Sequence, residues 1–171
     1  MYYLSDSKLL ELAPAVVVGD VAGVHAEAVP GRKAVRSRAR VNVLEYVKAP
    51  AGASAAIDVI TPGGALAGVE TRVPGAARFV AGERVLVFLA PSGEDAWRVV
   101  GMSRGKYHVD TSGGGPATVR LDLDGLTQID PTTGRELPAD LIPASAGRVY
   151  LQDLVATLRA CLTPNASGDA R

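Results

Sequence analysis

Four apolar segments set the limits on what this chain can fold into. They occupy residues 15–21, 40–48, 79–89 and 97–101, and Val, Leu and aromatic residues dominate them. Such side chains fit a pleated, half-buried backbone. Runs of this length bounded by Gly and Pro read as strands rather than helices. The 19 Gly and 11 Pro fall mostly between the apolar runs, as turns joining short strands require. The expected architecture is a small β-barrel, mainly β.

Around these runs the chain has a definite order. Residues 5–12 read as a short helix, with Ser5 or Asp6 able to cap it and Leu9, Leu10 and Leu12 forming an apolar side. Pro14 stops it. A strand follows over 16–24, and Gly19 inside it marks a bulge or bend. Residues 35–47 form a long strand and 56–61 a third. The Gly- and Pro-rich stretch 62–78 reads as a long loop or flap with a brief strand-like piece at 69–73. Long loops in compact domains often carry function. The fourth strand covers 80–90, entered through a Gly82-Glu83 turn, and 91–96 is a polar turn. Two strand pieces, 97–103 and 106–110, flank Gly105. After a glycine loop at 111–116, residues 118–122 alternate as a strand and Asp124-Gly125 signals a hairpin. The polar, Pro-rich 130–145 reads as irregular. Leu151, Leu154, Val155, Leu158 and Leu162 fall at helical spacing. Residues 1–163 are thus read as one domain, and 164–171 as a disordered tail.

Charge narrows the function. Lys plus Arg and Asp plus Glu both total 18, so the net charge is zero. Nucleic-acid affinity comes largely from neutralised phosphates, so a general nucleic-acid binder is not expected. One cysteine, Cys161, cannot form an internal disulfide or a cysteine-based metal site. It reads as a buried or half-buried small hydrophobe. No apolar stretch is long enough to span a membrane.

The helix, the strand with its internal Gly19, the strand running through Val43-Leu44 to Lys48, and the segment Phe79, Gly82, Glu83, Val85, Leu86, Val87, Phe88 together resemble the netrin-like domain. That is the OB-type barrel of the tissue inhibitors of metalloproteinases and their bacterial relatives, and the likeness covers about the first 60% of the chain by pattern. The Arg98-Val-Val-Gly101 to Gly105-Lys106-Tyr107 pattern is similar to a group of small exported bacterial proteins. The resemblance implies a netrin-like barrel of five to six strands, with a short N-terminal helix and a C-terminal hairpin plus helix packed on it. The residues alone fit either a cytosolic protein or the mature form of an exported one, and the resemblance implies the second, periplasmic or extracellular, with its leader removed. The animal inhibitors chelate zinc through an N-terminal cysteine. Met1-Tyr2 stands there instead, so that mechanism does not carry over.

The candidate chemistry is sparse. Gly101-Met102-Ser103-Arg104-Gly105 matches the Gly-x-Ser-x-Gly elbow, with His108 nearby, but its strand-like flanks lack the strand-to-helix turn that exposes such a serine. The two histidines, His25 and His108, show no metal-ligand spacing. Asp122, Asp124 and Asp130 would put Pro131 where a calcium loop needs its bidentate Glu. Arg36, Arg38 and Arg40 project from one strand face, a ladder usually solvated or paired across to acids. Aromatics make up 5% of the chain and none lies between residues 32 and 40, which argues against single-strand nucleic acid there. The expectation is a non-enzymatic accessory module with no cofactor that engages a protein partner. Its candidate contacts are Arg36, Arg38, Arg40, Arg72 and Arg78. The alternatives are a protease inhibitor or protease-associated protein using the flap and, more remotely, a hydrolase using Ser103.

Overall fold

The computed structural model describes residues 3–93, 95–123, 126–138 and 148–163. The elements run α1 (Asp6–Leu12), β1 (Ala15–Ala28), β2 (Val35–Lys48), β3 (Ala56–Pro62), β4 (Gly64–Leu66), β5 (Val69–Thr71), β6 (Arg84–Gly93), β7 (Ala96–Val99), β8 (Lys106–Asp110), β9 (Thr118–Leu121), β10 (Val149–Tyr150) and α2 (Leu151–Leu162). The protein is mainly β. Ser5 caps α1, its hydroxyl accepting from the Lys8 amide at 3.2 Å. Asp6 lies in the first turn instead.

The main sheet closes on itself as a ring. β1 pairs with β2, β2 with β3, β7 with β6, and β6 with β1, all antiparallel. The junction of β3 with β7 is parallel and short, formed by Val59 opposite Trp97 and Ile60 opposite Arg98. Strands β8, β9 and β10 then extend the sheet outward from β6. A register shift falls between Val18 and Gly19. A Cβ on Gly19 would lie 2.6 Å from the Asn42 carbonyl oxygen, so this close strand crossing requires glycine.

Two cores result. Val17, Val21, Val41, Val59, Val85, Val87 and Leu89 fill the inside of the ring with Phe79. Leu9, Leu10, Val16, Val18, Leu86, Phe88, Tyr107, Leu154, Val155 and Leu158 form an outer layer beneath the two helices. Strand β6 serves both, which is why residues 85–90 are buried without alternation. Each such Val, Leu or Phe side chain contributes about 1.5–3 kcal/mol by leaving water.

Several sequence expectations need correction. The strand expected over 97–103 ends at Val99, and a 3₁₀ turn spans Met102–Gly105. Gly101 and Met102 both adopt left-handed φ, 75° and 56°, which no strand tolerates. The fourth strand begins at Arg84, after the 80–83 turn, and runs through the expected turn to Gly93. The 62–78 flap contains a hairpin, β4 with β5. Eight strands pair in the main sheet, of which five, β1, β2, β3, β7 and β6, close the ring. Leu12 and Cys161 are exposed rather than packed, because the buried side of α1 is drawn from Leu9 and Leu10 and that of α2 from Leu154, Val155 and Leu158. The Asp124-Gly125 turn, part of the irregular 130–145 segment and the 164–171 tail lie outside the described residues.

Candidate functional site

The flap returns across one end of the ring and is tied down at both ends. The Ser37 hydroxyl donates to the Gly63 carbonyl at 2.8 Å, and the Val35 amide donates to Thr71 Oγ1 at 3.0 Å. Beyond β5, the Ser103 amide donates to the Gly75 carbonyl at 2.8 Å. Lys106 Nζ donates to the Arg78 carbonyl. The hairpin turns at Ala67 and Gly68, with φ of 48° and 77°. Two consecutive left-handed residues match the twist of paired strands. Leu66 and Val69 stand exposed beside that turn.

Between the returning segment 72–78 and the 3₁₀ turn lies a cleft of about 360 Å³, lined by Arg72, Arg78, Ser103, Lys106, Asp122 and Leu126 together with the flap backbone. A second cleft, about 320 Å³, shares Arg72 and Arg78 and opens toward the hairpin. Two of the basic groups are already engaged. Arg72 pairs with Glu70 at 2.6 Å on the surface, and that hydrogen bond raises its pKa. Lys106 is almost fully buried and meets Glu83 Oε1 at 2.7 Å, with its ammonium 5.0 Å from the Phe79 ring centre. The same Glu83 accepts from the Val80 amide at 2.9 Å and lies 3.2 Å from His108 Nδ1. Arg78 is exposed and makes no side-chain ion pair or hydrogen bond among the described residues. Ser103 is 7% exposed, and its hydroxyl has no hydrogen-bond partner among the described residues.

The Gly-x-Ser-x-Gly segment has a steric explanation. A Cβ at Gly101 would meet Leu9 Cδ2 at 2.6 Å, and one at Gly105 would lie 1.8 Å from the Val100 carbonyl oxygen. Both glycines are therefore demanded by the tight turn. Ser103 does not bond His108, whose ring faces Glu83. Arg104, between them, is wholly buried. Its guanidinium donates to Asp6 at 2.7 Å and to the Tyr107 hydroxyl at 2.9 Å, and lies 5.1 Å from the Tyr3 ring centre. Burial opposes its charge, but Tyr107, Asp6 and Tyr3 outweigh burial and hold it firmly protonated. Burial likewise pushes the Tyr107 hydroxyl upward. This cluster joins α1 to the turn beneath the cleft.

The arginine ladder lies elsewhere, on the outer face of β2, and lines neither cleft. Acids of the flanking strands interleave with it. Glu27 meets Arg36 at 2.7 Å and Arg38 at 3.2 Å, while Asp58 meets Arg40 at 2.9 Å and Arg38 at 3.7 Å. The register sets Glu27 opposite Arg36 and Asp58 opposite Arg40. The Arg38 hydrogen bond leads in lowering the Glu27 pKa, against a smaller opposing effect of burial.

The fold thus brings Arg72, Arg78 and Ser103 to one cleft and leaves Arg36, Arg38 and Arg40 in a self-paired row. Sequence reasoning missed Lys106 and Glu83. The signal available was Lys106 beginning a strand that returns beside Arg84. Among the described residues no group of three or more His, Cys, Asp or Glu is arranged to hold a metal ion. Asp130 instead accepts from the Thr132 and Thr133 amides, which lowers its pKa. No helix among the described residues is long and apolar enough to cross a membrane. Comparison of the chain with protein-family models, with curated proteins and with solved structures found no match.

Proposed function

We propose that this chain is a non-enzymatic, exported binding module built on an OB-type barrel of the netrin-like kind, and that it engages a protein partner through the flap. The fold half of this reading is supported by the ring of β1, β2, β3, β7 and β6, joined mostly by hairpins and nearly open at its two-residue β3–β7 junction. OB folds are five-stranded, partly open Greek-key barrels that bind their ligands on one face and its loops. The exported location rests on the family resemblance alone.

The observation that carries the binding half is the cleft under the flap, which Arg72 and Arg78 line together with residues of the sheet. Binding residues are favoured on loops positioned by such a scaffold. A non-enzymatic role is supported by Ser103, whose hydroxyl is buried with no base beside it among the described residues, whereas an activated nucleophile sits within hydrogen-bond reach of one. The inhibitor reading is favoured by one feature, the exposed hairpin tip of Leu66 and Val69 on its two-residue turn.

Affinity capture from periplasmic and secreted fractions of the source, read by mass spectrometry, tests this function. A saturable protein partner should protect residues 62–78 from hydrogen exchange and be lost in the R72A/R78A variant. A folded protein that captures nothing, or a partner that leaves 62–78 unprotected, refutes it. A protease among the partners, inhibited in proportion to the protein added, selects the inhibitor reading.

A further inference from the structure

We propose that the outer half of β1 is an interface between two copies of this chain, which pair antiparallel about a two-fold axis at Ala26 and continue the sheet from one copy into the other. This goes beyond the flap and its protein partner and rests on neither.

The ring leaves one sheet edge open. β6 covers β1 only as far as Asp20 opposite Arg84, and the 80–83 turn adds two backbone bonds at Val21. A register shift between Val21 and Gly23 falls where β1 leaves β6. From Gly23 to Ala28 the strand pairs with β2 on one side and with no strand on the other, among the described residues. Gly64 of β4 crosses its face near Ala26, but β4 pairs only with β5. Alternate N–H and C=O groups of residues 23–28 therefore point away from the sheet, and such a row is a template for another strand. Native edges are commonly guarded by lysine or proline. Residues 23–28 contain neither. Their one acid, Glu27, is drawn back over β2 by Arg36 and Arg38, and Val24 stands exposed.

Charge selects both the occupant and the register. When a sheet continues across a two-fold axis, facing residues lie on the same side of the pleat, so the axis falls on a residue. An axis at His25 sets that side chain against its own copy with Arg38 behind each, and the row holds no acid. An axis at Glu27 sets two carboxylates face to face, which is unfavourable. An axis before His25 drives the incoming strand into the turn that bonds Val21. An axis at Ala26 places His25 opposite Glu27 of the second copy, twice over. β2 sets Arg36 opposite Glu27 and Arg38 opposite His25, so the row across the axis reads Arg36, Glu27, His25, Arg38. Within one copy His25 Nε2 lies 3.8 Å from Glu27, beyond hydrogen-bond length, and its side chain is 65% exposed. Its ring is thus available to donate to the second carboxylate. On the other side of the pleat, Val24 meets Ala28 and Ala26 meets Ala26, small apolar chains that let the backbones close. A second copy supplies this reciprocal match by symmetry.

The test is analytical ultracentrifugation of the reduced full chain at neutral pH, from micromolar to millimolar concentration, with hydrogen exchange read at both ends. A monomer–dimer equilibrium should appear, and protection of residues 23–28 should rise with concentration. H25E opposes like charges twice in each dimer and should weaken association at least tenfold. H25K offers Glu27 a cation at the same exposed site and should associate at least as tightly as the parent. L44E, at an exposed leucine elsewhere on β2, and R72A/R78A on the flap should leave association unchanged. A monomer at every concentration, or a dimer without added protection at 23–28, overturns the inference. So does equal weakening by H25E and H25K, which moves the axis off Ala26, or loss of the dimer in L44E. Protection of 23–28 by a captured protein, with no self-association, also overturns it and gives the edge to a different chain.

Discussion

Replacing Asp6 by Ala removes the one anion that faces Arg104 among the described residues. Arg104 is fully buried and the Asp6 side chain is only 20% exposed, so water cannot take over. The substitution also strips the Tyr107 hydroxyl of its acceptor at 2.7 Å. Breaking a buried ion pair from one side costs about 3–5 kcal/mol, because the remaining charge stays uncompensated. The loss of a negative charge in the first turn of α1 adds ~0.3–1 kcal/mol. For a chain of this size each kcal/mol lowers the melting temperature by about 2–4 °C, so D6A should melt roughly 7–24 °C below the parent. Urea unfolding followed by circular dichroism measures the free energy directly. D6N keeps an acceptor for Tyr107 and should fall between parent and D6A. The double variant D6A/R104M is the decisive comparison. Removing both charges and filling the site with an apolar chain should recover most of the loss, as paired replacement of buried ions does elsewhere. A D6A cost below about 1 kcal/mol, or a double variant no more stable than D6A, would refute the claim that Asp6 compensates a buried cation.

Other outcomes follow from the same geometry. Gly105→Ala forces a Cβ to within 1.8 Å of the Val100 carbonyl oxygen and should cost more than the ~1–3 kcal/mol of ordinary overpacking, whereas Gly113→Ala, with nothing within 4 Å, should stay within about 0.5 kcal/mol; equal urea midpoints for the two would contradict the steric argument. Glu27 has a depressed pKa, so its pairs with Arg36 and Arg38 contribute stability above the ordinary value of 4.5 and lose it as pH falls through the lowered one. The stability gap between parent and E27Q should therefore be present at pH 7 and close below about pH 4, and a gap unchanged down to pH 3 would count against this pairing. Cys161 is exposed, so one equivalent of a thiol reagent should react without denaturant; labelling that waits for unfolding would place the thiol elsewhere.

What the sequence made legible was whatever a local pattern encodes. The helical stripe of α2 and the apolar runs of β1, β2 and β6 are of this kind, and so is the alternation that puts Arg36, Arg38 and Arg40 on one face. Half of the flap hairpin was hidden: β5 falls within the strand-like piece at 69–73, but β4 is Gly-Ala-Leu, too short to show a period. Residues 97–103 misled because an apolar run continues into a turn fixed by left-handed Gly101 and Met102. The cleft was only half legible. Arg72 and Arg78 are conspicuous on a long loop, but their meeting with Ser103 and Lys106 depends on hydrogen bonds between distant parts of the chain, from the Ser103 amide to the Gly75 carbonyl and from Lys106 to the Arg78 carbonyl. Arg104 carried no signal beyond its place in the Gly-x-Ser-x-Gly segment, since its partner Asp6 lies 98 positions away.

Strand β6 touches β1 along one edge, then β8 and β7 along the other, and lends alternate side chains to both cores. Neither layer can then melt while the other persists, because the strand that would be freed is a wall of both. Ring and helical cover should unfold in one cooperative step, seen alike by tryptophan fluorescence and helical circular dichroism. Evolution of such a molecule is correspondingly constrained: the flap can be rewritten residue by residue, but a change in six consecutive positions of one strand is felt everywhere at once.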